Sequence, residues 1–259
     1  MIKLFEIGMH AGGTADILID VFERAGLDYE VFGLEPAKDT WELLLEKYKD
    51  NSNVHIFNVA VSNFAGEAKL YDTPNSDGRT LCVTKWNAKK DDFALCEAIK
   101  FSDWFEGAGL ADKGAKDLYI VDCNIEGSEY EFYADLMDND LVQYMDLFTG
   151  SLGDLHKIGK DSESIESFMS QLKAAGIEVV ELTVGKKQNL DVIERAVGGS
   201  RVSGGFVQPK RPAEPKPATF TKPVDTWFMD LELKDEEPVV EQEEPGKKQK
   251  KKRGKKGNE

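Results

Sequence analysis

Three short stretches of this chain combine acids, glycines and strand ends in patterns that can do chemistry. The first is Glu6-Ile7-Gly8-Met9-His10-Ala11-Gly12-Gly13, which closes an apolar run. A strand that ends in an acid and breaks into a glycine loop lets a nucleoside approach the backbone where side chains are missing. Gly8 and Gly12 lie four apart, and position 10 is a histidine. The Gly-x-Gly-x-x-Gly fingerprint that cradles a pyrophosphate needs a glycine there. The loop therefore suits a nucleoside cofactor without a pyrophosphate better than it suits NAD. The second stretch is Glu35-Pro36, whose carboxylate can accept charge-assisted hydrogen bonds from two ribose hydroxyls. The third is Asp122-Cys123-Asn124-Ile125-Glu126-Gly127-Ser128-Glu129. With a period of two, Asp122, Asn124 and Glu126 point to one side of an extended chain. Polar groups at the end of an apolar strand are costly unless hydrogen-bonded or used. Each stretch also has a purely structural reading. Glu35 can be a strand-end acid before a turn, and Glu126 or Ser128 a helix N-cap.

The elements that must position these residues alternate. Ile2–Ile7, Tyr29–Leu34, Val54–Val61, Leu118–Cys123, Tyr144–Thr149 and Glu178–Thr183 read as strands. Thr14–Ala25 reads as a helix capped by Thr14, with Ile17, Leu18, Val21 and Phe22 on one face. Lys38–Lys49 reads as a helix with Trp41, Leu44, Leu45 and Tyr48 inward, and Glu129–Met137 and Ser164–Ala175 as further helices. Phe101–Phe105 reads as the start of a short helix capped by Ser102, and Glu67–Tyr71 as a strand beside the third one. The turn-rich stretch 72–98 gives no clear element. The alternation predicts an α/β fold with a mostly parallel central sheet and helices on both faces. In such a sheet ligands bind beyond the carboxyl ends of the strands, where all three stretches fall.

Composition sets the outer bounds. The 259 residues, 41% hydrophobic and 10% aromatic, suffice for one sizeable core. No apolar run is long enough to span a bilayer, and the chain enters a strand at once without a leader pattern. Cys82, Cys96 and Cys123 are odd in number and widely spaced, so neither a metal motif nor a disulfide framework is expected, and a cytoplasmic setting is. The net charge of −15 hides a C-terminal block, 247–259, carrying +7. The rest is acidic enough to repel polyanions, so no membrane partner is expected, and nucleic acid only through the basic tail. The boundaries read as a domain over 1–197, a Gly/Pro-rich linker or loop over 198–224, a segment over 225–234 and a disordered acidic-then-basic tail over 235–259. Within the third, Thr226–Leu233 is either a returning last strand or a short binding motif in the tail.

In this order these residues resemble the S-adenosylmethionine-dependent methyltransferases of the FkbM type. That family's acid-x-Gly-Ala-Asn-x-Gly opening corresponds to Glu6 through Gly12, and its Phe-Glu-Pro element to Gly33-Leu34-Glu35-Pro36. Its small-apolar-Ser segment before a Gly-Glu turn is similar to Val59-Ala60-Val61-Ser62 followed by Gly66-Glu67, and its Asp-Val-Glu-Gly-Ala-Glu signature to Asn124 through Glu129. His10 stands where the family carries Asn, and Asn124 where it carries Asp. The resemblance covers residues 2–135 and fades after about 184.

What the resemblance implies is a Rossmann-like class I methyltransferase fold that binds S-adenosylmethionine through Glu6, Gly8, His10, Gly12, Glu35 and Ser62. The expected reaction is methyl transfer to a hydroxyl of a small-molecule or sugar-type acceptor. Catalysis would fall to Glu126, Asp122 and Asn124, with Glu126 first as the proton acceptor and His10 or His156 as lesser candidates. Two other readings remain open: a catalytically altered scaffold protein that kept the fold, and an NAD-dependent oxidoreductase.

Overall fold

The computed structural model describes residues 1–74, 78–182 and 192–197, all within one compact unit spanning Met1–Thr221. The boundaries read at 198–224, 225–234 and 235–259 lie outside the described residues.

Among the described residues up to 182, nine strands and five helices follow one another as β1 (Ile2–Ile7), α1 (Gly13–Arg24), β2 (Tyr29–Leu34), α2 (Lys38–Tyr48), β3 (Val54–Phe57), β4 (Ala60–Val61), β5 (Gly66–Tyr71), β6 (Phe93–Ile99), α3 (Phe101–Gly107), β7 (Leu118–Cys123), α4 (Glu129–Asp138), β8 (Leu147–Gly150), α5 (Ser162–Ala174) and β9 (Val179–Glu181), with 3-10 turns at Leu141–Tyr144 and Gly153–Lys157. A helical turn at 192–197 completes the described chain. The main sheet runs β3-β2-β1-β7-β8-β9 and every pairing in it is parallel. This is the α/β, Rossmann-like architecture expected, with the order reversing between β1 and β7. Among the described residues no helix is long and apolar enough to cross a membrane.

Alternation along the strands sorts side chains to two faces. Phe5 and Ile7 of β1, and Tyr119, Val121 and Cys123 of β7, join the core built with α3, α4 and α5. Ile2, Leu4 and Ile120 pack with α1 and α2 on the other face. Glu6 and Asp122 belong to that second face by parity, and the β1–β7 register makes them direct neighbours. Phe5 sits at the centre of the aromatic side, with ring centroids of Phe32, Phe101, Trp104, Phe105 and Tyr119 at 5.5–6.2 Å. Truncating it leaves a cavity that its neighbours cannot fill. Phe5→Ala is expected to cost about 3–5 kcal/mol, read as a lowered urea midpoint.

Several expectations are corrected. The run Val54–Val61 is not one strand. The chain breaks at Asn58, whose side-chain amide donates to the carbonyls of Glu35 (2.9 Å) and Pro36 (3.1 Å). Beyond the break, β4 leaves the main sheet and joins a second one ordered β4-β6-β5. Glu67–Tyr71 therefore pairs with β6, not with the third strand. Tyr144 belongs to a 3-10 turn rather than to β8. Thr14 does not cap α1, because Gly12, in a left-handed conformation (φ 71°), holds that position. Ser102 lies inside α3, where its backbone N–H and its hydroxyl both donate to the Asp135 carboxylate of α4 (2.8 and 2.7 Å). On α1, Ala15 and Ile19 are buried while Ile17 is only half-buried. On α2, Leu44 and Tyr48 are the buried residues, and Leu45 is exposed.

Candidate functional site

At the carboxyl ends of β1, β2 and β7 lies a cavity of about 360 Å³, in the size range of small-molecule sites. Three loops build it.

The first leaves β1 through Gly8 (φ 82°) and His10 (φ 48°). A Cβ on Gly8 would sit 2.4 Å from the Asn124 carbonyl oxygen, so this turn admits only glycine. His10 is left-handed too, a region where Asn, Asp and His are enriched among non-glycine residues. Asn and His can thus both meet this backbone requirement. Accordingly, His10→Asn should leave the thermal midpoint nearly unchanged, whereas a β-branched His10→Val should cost about 1–2 kcal/mol, read by calorimetry.

The second loop carries Glu35, which is buried. Its two carboxylate oxygens accept from the backbone N–H groups of Ala37 (2.8 Å) and His10 (2.9 Å). The acid therefore ties the first loop to the second, and each oxygen keeps a further lone pair for a ligand. Burial raises its pKa, against those two N–H groups and the nearby Arg79.

The third loop follows β7. Asp122 is buried and accepts from the Thr149 hydroxyl at 2.7 Å. Burial pushes its carboxyl up to about 6 against that hydrogen bond. Glu6 is 2% exposed, and its Oε1 has no hydrogen-bond partner. Burial first, then the Asp122 and Asp16 charges, raise its pKa well above the usual carboxylate range. Asn124 is exposed at the rim. Glu126, at φ 60°, lines the cavity beside it. Below them the buried Glu129 accepts from the N–H groups of Ile125 and Gly127 (both 2.9 Å), holding the turn closed. Burial outweighs those bonds and moves Glu129 up to about 7.

Seven of the nine expected site residues therefore line one cavity: Glu6, Gly8, His10, Glu35, Asp122, Asn124 and Glu126. Gly12 and Ser62 are not among the lining residues. Gly12 instead caps α1 against Tyr48, whose hydroxyl donates to its carbonyl (3.0 Å). Ser62 is buried, with its N–H donating to the Ile99 carbonyl (2.9 Å). His156 lies exposed on the 3-10 turn Gly153–Lys157.

Three charged residues went unforeseen. Arg79 lines the cavity and pairs with Asp39 and Asp72. Lys85 is 3% exposed and bridges Glu126 and Asp154, and Asp154 also pairs with Lys157. Burial and the Asp154 carboxylate push Glu126 up, against Lys85. For Asp154 burial works the same way, but bonds to Glu126, Lys157 and Lys85 outweigh it and hold the group below its ordinary range. Nothing in the turn-rich stretch 72–98 marks Lys85, and Asp154 had only its place after a strand to recommend it. Among the described residues no three His, Cys, Asp or Glu side chains converge as a metal site.

No family model matches this chain, and no curated protein does. Among solved structures it is similar to one titled methyltransferase FkbM, from Methylobacillus flagellatus KT. Identity is 14% and the TM-score 0.38, over 65% of this chain and 36% of that one. The chain thus spans about a third of that protein's length, and a likeness at this level assigns no activity.

Proposed function

We propose that the chain is an S-adenosylmethionine-dependent methyltransferase acting on a hydroxyl of a small-molecule, carbohydrate-type acceptor. The observation that carries this reading is the pair of neighbouring buried carboxylates, Glu6 and Asp122, with Glu6 Oε1 unpartnered inside the cavity wall. Buried acids so placed favour a ligand that brings positive charge or N–H donors. A molecule with an ammonium, a sulfonium and a ribose diol suits that demand, and a pyrophosphate does not.

Glu6, Asp122 and the Gly8–His10 turn would hold the charged end of the cofactor, and Glu35 its ribose. Bound there, the cofactor would supply an electrophilic methyl on a sulfonium sulfur. Glu126 takes the proton that the acceptor oxygen gives up. Val59, Ala60, Val61, Leu70 and Leu81 give the cavity its apolar lining, and the acceptor is assigned to that part of it. Catalysis is then mainly positioning of an oxygen in line with the methyl group.

Thermal shift with S-adenosylhomocysteine tests the reading. At 100 times its Kd a ligand should stabilise the fold by about 2.7 kcal/mol, and NAD should do nothing. Absence of any shift at millimolar S-adenosylhomocysteine overturns the assignment, and a shift with NAD alone points to hydride chemistry.

A further inference from the structure

Behind Glu126 the chain from Gly78 to Trp86 is strapped across two other loops. Thr80 Oγ1 donates to the Glu126 carbonyl (2.8 Å), and Thr84 Oγ1 to the Ile158 carbonyl (2.9 Å). The Trp86 N–H reaches the Lys157 carbonyl (3.0 Å). Lys85 points inward from the middle of this strap. Its Nζ donates to Glu126 Oε2, to Asp154 Oδ2 (2.8 Å) and to the Gly78 carbonyl (3.4 Å). All three ammonium hydrogens are thereby used. The side chain is 2% exposed, while Glu126 is 24% exposed and faces the cavity.

We propose that Lys85 is a positioning residue. It fixes one oxygen of the Glu126 carboxylate and sets its charge, leaving the open side of that carboxylate to the acceptor, while Asp154 holds Lys85 in place. This rests on Glu126 being the group that takes the acceptor's proton. Two features favour the assignment over a plain structural ion pair. A lysine withdrawn from water between two carboxylates costs desolvation that a packed apolar side chain would avoid. Glu126 also sits on a non-glycine left-handed residue, a backbone state costing roughly 1–2 kcal/mol, and this strap holds it there. The charges facing Glu126 are Lys85 from the strap and Asp154 and Lys157 from the 3-10 turn. Glu129 lies at the start of α4, and Asp122 and Arg79 line the same cavity.

The test is the titration of the Glu126 side-chain carboxyl, followed by carbon NMR in glutamate-labelled full-length protein and assigned by its loss in Glu126→Gln. Lys85→Met removes the cation and should raise the midpoint by at least one pH unit. Asp154→Asn removes the competing carboxylate, keeps an oxygen for Lys85, and should lower it. Opposite shifts support the proposal, while an unchanged midpoint in either folded variant overturns it. Should Lys85→Met fail to fold, the sign of the Asp154→Asn shift decides alone. Affinity for S-adenosylhomocysteine, measured in the same samples by calorimetry, should stay within about threefold of the parent protein. Loss of binding in the parent itself would refute the methyl-donor assignment and leave the Lys85 result standing on the titration.

Discussion

Replacing Asp122 with Asn is expected to stabilise the ligand-free protein at neutral pH and to weaken its hold on S-adenosylhomocysteine at least tenfold. The first half follows from linkage. A carboxyl whose folded pKa is raised binds its proton more tightly in the fold than in the unfolded chain. Its stabilising contribution is present at low pH and is lost as pH rises from the unfolded value to the folded one. For Asp122 that window runs from the ordinary 3.8 to about 6, and above it the charged fold bears roughly 3 kcal/mol at most. Asn can still accept from the Thr149 hydroxyl without the charge. Thermal midpoints should therefore differ little between variant and parent near pH 4 and separate progressively towards pH 7. Glu6→Gln should move them in the same direction. The second half follows from the same charge. A cationic ligand needs the ionised acid, and losing a charged hydrogen-bond partner costs about 1.5–3 kcal/mol. Affinity in the parent protein should rise between pH 5 and 7, with protons released on binding. Calorimetry in two buffers of different ionisation enthalpy measures that release. A pH-independent affinity, or a variant less stable at pH 7, would contradict the role given to this pair.

The largest effect on turnover is expected at Glu126. Glu126→Gln keeps the length of the side chain and an oxygen for Lys85, but it cannot take a proton. Transfer of a labelled methyl group into an acceptor pool should fall by roughly 10²–10⁴, with S-adenosylhomocysteine affinity within a few-fold of the parent. Equal losses of binding and transfer would instead mean that Glu126 shapes the donor pocket.

The part of this cavity built by β1, β2 and β7 was legible in the sequence because its parts are local. An apolar strand, an acid and a glycine loop are contiguous in residues 2–13, and the same holds for Glu35-Pro36 and for Asp122 through Glu129. Parallel pairing then brings these strand ends together without further information. The rest was not legible, for physical reasons. Val54–Val61 looks like one strand because Asn58 resembles any polar residue in a run. What breaks the strand is the capture of two carbonyls more than twenty residues away. β6 escaped notice because its residues 93–95 are exposed on both faces, so no two-residue pattern appears. Lys85 lies 41 residues from Glu126 and 69 from Asp154, and no periodicity links them.

The break at Asn58 carries one more consequence. Between it and α3 the described residues carry the second sheet, β4-β6-β5, and the strap; on the proposed reading these wall the acceptor end, while β1, β2, β7 and their loops make the donor end. On the proposed reading, changes in that block would redirect what receives the methyl group without redesigning what delivers it.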